Sequence, residues 1–179
     1  LFVNDESGNE NITSFSLSVV DGAVPLVTLR KPDNGNVSGS SNVNLNCSAT
    51  EDTNLTNITL YHNISGTFSL NETHNVTGVD NSSNFTLTGL SDGGYIWNCL
   101  AVDNQSNSDF ADSNFSFSVD TTNPVVALRA PDDEDTVTTA TPTFDFNVSD
   151  ASSISSCSLL IDGVTNTTDP SITKNTNQR

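Results

Sequence analysis

Apolar and polar residues alternate with a period of two in short runs along the chain, which is the pattern of half-buried β-strands. The clearest run covers residues 91–103. There Tyr95, Trp97, Cys99 and Ala101 alternate with Ile96, Asn98, Leu100 and Val102, behind an Asp92-Gly93-Gly94 turn whose residues tolerate positive φ. Val43-Leu45-Cys47 alternates in the same way, and further strands are expected over 26–29, 58–61, 85–87 and 115–119. Residues 67–70 and 76–79 are short and polar, as edge strands should be. An earlier strand is expected over 12–19, and later ones over 125–128, through Phe144-Phe146-Val148, and over 157–161. The chain therefore reads as all-β.

The runs repeat. Leu29-Arg30-Lys31-Pro32 recurs as Leu128-Arg129-Ala130-Pro131, 99 residues on, and Pro25 recurs as Pro124 at the same offset. Asp5 before Ser7-Gly8-Asn9 matches Asp103 before Ser106-Asn107. A module of about 99 residues suits a seven-stranded sandwich. On this reading, residues 1–20 end one module, 21–120 form a complete one behind a Pro-stiffened linker, and 121–179 repeat only the opening strands of a third. The expected architecture is a tandem of β-sandwich modules, one complete and two partial.

Three motifs carry a family resemblance: Val119-Asp120-Thr121-Thr122-Asn123-Pro124-Val125-Val126, Ser149-Asp150 with Cys157-Ser158-Leu159-Leu160-Ile161-Asp162-Gly163, and Gly94-Tyr95-Ile96-Trp97-Asn98-Cys99. Together they resemble the tandem Ig-like modules of large archaeal and bacterial cell-surface proteins, and are similar to heavily glycosylated extracellular fibril subunits. The third motif departs from antibody-type domains, in which Tyr stands two residues before Cys; here Trp97 does, and Tyr95 is four before. The resemblance implies a cell-surface or secreted location and no enzymatic activity. It also implies an inter-sheet disulfide between Cys47 and Cys99, with two buried free thiols as the alternative. Cys157 has no expected partner.

Five basic residues against 22 acidic ones leave a net charge of −17, which argues against nucleic acid or an anionic membrane as partner. No apolar run is long enough to span a bilayer, and no signal peptide stands at the start. The strongest chemical signal is the sequon Asn-x-Ser/Thr. It occurs at Asn11, Asn36, Asn46, Asn54, Asn57, Asn63, Asn71, Asn75, Asn81, Asn84, Asn104, Asn114, Asn147 and Asn166. With 24 Asn and 48 Ser plus Thr, chance placement gives about six such triplets against the fourteen present. Asn46, Asn114 and Asn147 alternate with apolar strand positions and are expected to point outward. Covalent N-glycans would shield a β-rich surface from edge-to-edge association; a merely Asn-rich surface is the alternative. Residues 136–143 suit O-linked sugars.

No catalytic constellation, phosphate loop or cofactor site is expected. His62 and His74 read as surface residues, and Asp132-Asp133-Glu134-Asp135 as a solvated loop with at most weak Ca²⁺ affinity. The nine Phe mostly alternate as core, leaving no exposed aromatic platform of the kind used by accessory modules of carbohydrate-active enzymes. Two function classes follow: a subunit of a glycan-sheathed filament, and the stalk of an adhesin or surface-layer protein whose binding domain lies elsewhere. For the first, the expected partner is another copy, joined head to tail, with residues 1–19 of one subunit completing the open module of the next.

Overall fold

The computed structural model describes residues 2–17 and 22–179, and all the regular structure it describes is β. A hairpin opens the chain, with β1 (Phe2–Asn4) antiparallel to β2 (Glu10–Ile12). Nine strands follow: β3 (Leu26–Lys31), β4 (Asn36–Ser38), β5 (Val43–Thr50), β6 (Leu55–His62), β7 (Ser69–Asn75), β8 (Asp80–Leu87), β9 (Gly93–Asp103), β10 (Ser108–Phe110) and β11 (Phe115–Val119). They make two facing sheets, β3-β5-β8 and β4-β11-β9-β6-β7, with β10 added alongside β9. The last strands are β12 (Val125–Ala130), β13 (Asp145–Ser149), β14 (Cys157–Ile161), β15 (Val164–Asp169) and β16 (Asn177–Gln178), paired as β12-β13-β16 and β14-β15.

Alternation decides what each strand buries. On β5, Val43, Leu45, Cys47 and Ala49 are buried while Asn44 and Thr50 face out. On β9, Trp97, Cys99 and Ala101 face the same interior. Leu55, Ile58 and Leu60 of β6, Phe85 and Leu87 of β8, and Phe117 and Val119 of β11 close the core. Cys47 and Cys99 are bonded across it, with their Cα atoms 6.6 Å apart. Tyr95 fastens the start of β9: its hydroxyl donates to the Ser91 carbonyl at 2.7 Å. That is the tyrosine-corner bond of immunoglobulin-like sandwiches, made from four residues before the cysteine instead of two. Trp97 packs edge-on to Phe115 with ring centroids 6.0 Å apart. It is fully buried, and its indole N–H meets no acceptor among the described residues.

Stretches matched in the sequence share local detail. β3 and β12 share the same irregularity, between Leu29 and Lys31 and between Leu128 and Ala130. In the opening hairpin, the Asp5 carboxylate accepts from the Ser7 and Asn9 amides and from the Asn9 side chain. In the turn between β9 and β10, Asp103 accepts likewise from Gln105 and Asn107. The left-handed position falls on Gly8 in one loop and Ser106 in the other. The loop of the β1–β2 hairpin thus has the same hydrogen-bond pattern as the turn between β9 and β10.

Several sequence-based expectations are corrected. The strand expected over 12–19 is instead the β1–β2 hairpin, because the Asp5–Asn9 loop turns the chain so that Ile12 pairs with Phe2. Residues 13–17 form no strand, and 18–19 lie outside the described residues. Of the two edge strands expected over 67–70 and 76–79, the second is absent, since 76–79 form no strand; a single strand, β7, takes in 69–70 and the residues 71–75 between them. A bulge opposite Leu60 and Tyr61 absorbs Asn71, and the polar run continues because His74 stacks on Phe85 at 4.3 Å. β4 and β10 carry no alternation to betray them: β4 is held by parallel pairing to β11, and β10 by pairing to β9.

The two sheets after residue 124 enclose much less. Val148 is the one fully buried side chain there among the described residues, whereas Leu128 is 84% exposed. Between these sheets lies a cleft whose walls include Val126, Leu128, Phe146, Cys157 and Leu159.

Candidate functional site

A hydrogen-bonded polar cluster occupies the joint between the sandwich and the strands that follow it. Asp92 belongs to the turn ahead of β9 and reaches the connecting residues. Its Oδ1 accepts from the Thr121 amide at 2.9 Å and hydroxyl at 2.8 Å, and its Oδ2 from the Thr122 hydroxyl at 2.8 Å. Asp120 continues the clasp: its Oδ1 accepts from the Thr122 amide at 3.2 Å, and its Oδ2 from the Ser152 amide, beyond β13, at 2.8 Å. Asp150 Oδ1 takes the Ser152 amide and hydroxyl. Lys174 completes the arrangement by donating to the carbonyls of Asp150, Ala151 and Ser152 at 3.0, 3.0 and 2.8 Å, which uses all three ammonium donors. Val37, Gly93 and Val119 line one groove with Ala151 and Ser152, so the two units meet along a shared surface.

These bonds set the electrostatics. Donation from Thr121 and Thr122 holds the Asp92 carboxyl below its ordinary value of 3.8. The Ser152 hydroxyl and amide, neighbouring Asp120 and the Lys174 charge do the same for Asp150, against the opposing effect of burial. A carboxyl depressed on folding contributes stability above its ordinary pKa and loses it as pH falls through the folded value. The clasp therefore holds at neutral pH and loosens only in strong acid.

The sequons decorate the outer faces. Asn11, Asn36, Asn54, Asn71, Asn75, Asn84, Asn104, Asn114 and Asn166 are exposed; Asn46, Asn57, Asn63, Asn81 and Asn147 are half-buried. Asn114 lies just ahead of β11 rather than on it. Asn46 and Asn84 stand directly opposite each other on β5 and β8, and Asn57 and Asn75 on β6 and β7. The Asn46 Nδ2 is occupied, donating to the Ser83 carbonyl and to Asn84 Oδ1. Asn63 is the reverse case. Its Oδ1 accepts from the Ile96 amide at 2.9 Å, and no described residue accepts from its Nδ2.

The histidines differ from expectation. His62 is buried, because it ends β6 on the inward side and pairs in register with Trp97. Burial lowers its pKa, and its Nδ1 accepts from the Ile64 amide. His74 lies on the inward face of β7 and bonds Glu72 at 2.9 Å. Residues 132–135 form an exposed loop in which Asp135 accepts from the Asp132 amide. Cys157 is a half-buried free thiol in the open cleft. Among the described residues, no three His, Cys, Asp or Glu side chains gather in a metal-binding group.

Sequence reasoning also missed an aromatic cluster. Tyr61 of β6 stacks on Phe68 at 6.0 Å and meets Phe110 of β10 edge-on at 5.0 Å, on the outer face of the larger sheet. The signal was available in Tyr61 alone: as an odd-numbered β6 residue it must face away from Leu60 and His62.

No family model and no curated protein matches the chain. Among solved structures it is similar to the fibronectin(III)-like modules of CbhA from Clostridium thermocellum. There the identity is 19%, the TM-score is 0.50, and the match covers 82% of this chain and 74% of that one. It is also similar to a CARDB domain from Pyrococcus furiosus, solved in complex with di-metal ions, at 18% identity over 60% of this chain and 99% of that one, with a TM-score of 0.40. The first likeness establishes the fold class: the chain is an all-β protein of fibronectin(III)-like and Ig-like sandwich architecture.

Proposed function

We propose that the chain is a structural segment of an extracellular, densely N-glycosylated filament, built from Ig-like modules joined end to end with restricted bending. The observation that carries this reading is the clasped joint. A passive linker needs no carboxylate fixing three of its donors, and a catalytic cleft would not spend Asp92, Asp120, Asp150 and Lys174 on backbone and hydroxyl groups. The disulfide supports an oxidising compartment, and the sequon density supports a sugar sheath. Head-to-tail association with other copies is part of the proposal: β1–β2 has the hairpin geometry that β9–β10 contributes to the complete sandwich, and the apolar cleft near Leu128 and Leu159 suits such strands. Stiff joints would also serve an adhesin stalk. Electron microscopy of native material separates the two, since uniform filaments support the first and rods with a globular head the second.

The joint gives a direct test. Asp92→Ala removes three hydrogen bonds at once, and at neutral pH we expect small-angle scattering to show a broader distribution of maximum dimensions with the sandwich still folded. Wild type should change in the same direction once pH falls below the ordinary carboxylate range of about 3.8. If Asp92→Ala scatters as wild type does, the clasp does not stiffen the joint.

Glycosylation is tested by intact mass and peptide mapping of protein from an N-glycosylating source. Most exposed sequons should be occupied, with Asn84 modified and the facing Asn46 bare, because Asn46 Nδ2 is engaged with Asn84 Oδ1. An intact mass at the bare 18.9 kDa would overturn the glycoprotein reading.

A further inference from the structure

We propose that the aromatic cluster Tyr61–Phe68–Phe110 is a carbohydrate-stacking site for the chain's own glycan on Asn63; the proposal rests on the glycoprotein reading above.

A protein this polar has little reason to leave such a patch open. Phe68 is 39% exposed, Phe110 36%, Ile96 37% and Leu70 56%, all on one face. The register places them together: Leu70 lies opposite Tyr61 across β7 and β6, and Phe110 opposite Leu100 across β10 and β9. The patch is bordered by a sequon whose geometry is prepared for it. Asn63 follows Tyr61 by two residues, just past the end of β6, where it is half-buried and its amide donates to the Ile96 carbonyl at 3.2 Å. The Gly66 amide closes a turn on the Asn63 carbonyl at 2.9 Å, with Gly66 at φ +94° where a left-handed residue is needed. That turn returns the chain to Phe68, so Tyr61 and Phe68 flank the attachment point from both sides of one hairpin.

The carboxamide is oriented as well. With Oδ1 held by Ile96, the side chain is fixed and Nδ2 remains for the sugar. A pyranose ring has one face of axial C–H groups, weakly positive and apolar, which matches the negative face of an aromatic ring. Tethering makes the contact intramolecular, so even a weak stacking interaction is populated at high effective concentration. The occupant that the geometry selects is thus the attached glycan, in preference to a free saccharide or a second chain.

The test uses the full chain secreted from an N-glycosylating host. Peptide mass spectrometry should find Asn63 occupied, and NMR with labelled sugar should show contacts between core-sugar protons and the rings of Tyr61 or Phe68. Ser65→Ala removes the sequon and leaves Asn63 in place; it should lower Tm by about 4 °C in wild type. The same change should do nothing in a Phe68→Ala background, since the two groups act as a unit. If Asn63 is occupied but Ser65→Ala lowers Tm equally in both backgrounds and no sugar–ring contact is seen, the inference is wrong while glycosylation stands. An unmodified Asn63 in an otherwise glycosylated chain also overturns it, and the cluster then belongs to a second chain or a free saccharide. A chain bare at every sequon removes the glycoprotein reading itself.

Discussion

Replacing Cys47 and Cys99 together by alanine is expected to lower the stability of the central sandwich by about 4 kcal/mol. The bond closes a loop of 52 residues, and most of its contribution comes from restricting the unfolded chain rather than from a native contact. Both sulfurs are fully buried between β5 and β9, so alanine also leaves a small void in a packed core. For a domain of this size the loss corresponds to a fall in Tm of roughly 15–30 °C. Calorimetry of the double variant, beside wild type kept without reductant, measures it directly. A fall of only a degree or two would mean that the two sheets are held by packing alone.

Trp97→Ala is expected to cost about 3–5 kcal/mol, the usual range for emptying the place of a large buried aromatic. Trp97 is fully buried, flanks Cys99 on the same strand face and packs on Phe115. Trp97→Phe should be far milder, about 1–2 kcal/mol. The reason lies in the indole N–H: buried without an acceptor, it takes no hydrogen bond with it when removed, and only volume is lost. Denaturant titration of both variants separates the effects. If Trp97→Phe proves as costly as Trp97→Ala, the indole nitrogen has a partner that its surroundings do not reveal.

Some of this was legible before any coordinates. Alternation located β5, β9 and β11, because a strand buried on one face must write period two into its sequence. The 99-residue offset located β12 through Leu128-Arg129-Ala130-Pro131. The turn around Asp5 was visible as a match to Asp103, since an Asx-type loop needs the same acceptor and the same left-handed position each time. The disulfide pairing came with the family resemblance, and the bond between Cys47 and Cys99 is present.

Other features left no local trace. β4 has three residues and β10 three, too few to show a period, and pairing with β11 and β9 holds them. β7 reads as loop because Glu72, Thr73 and Asn75 are polar; cross-strand pairs such as Thr59 with Thr73, 2.9 Å apart, and the stacking of His74 make it a strand. His62 looked like a surface histidine, and only its place on the inward side of β6 buries it.

By itself, the sequence determined the β class, the repeat, the acidic surface and the positions of the fourteen sequons, since each is written in composition or short-range spacing. Only the tertiary structure decided which side chains meet across thirty or more residues of sequence. It brought Asp120 to Ser152, and Phe110 to Tyr61, and set the Asn63 carboxamide against Ile96. The reason is physical: alternation assigns a residue to a face, but pairing register and the stacking of sheets determine what that face touches.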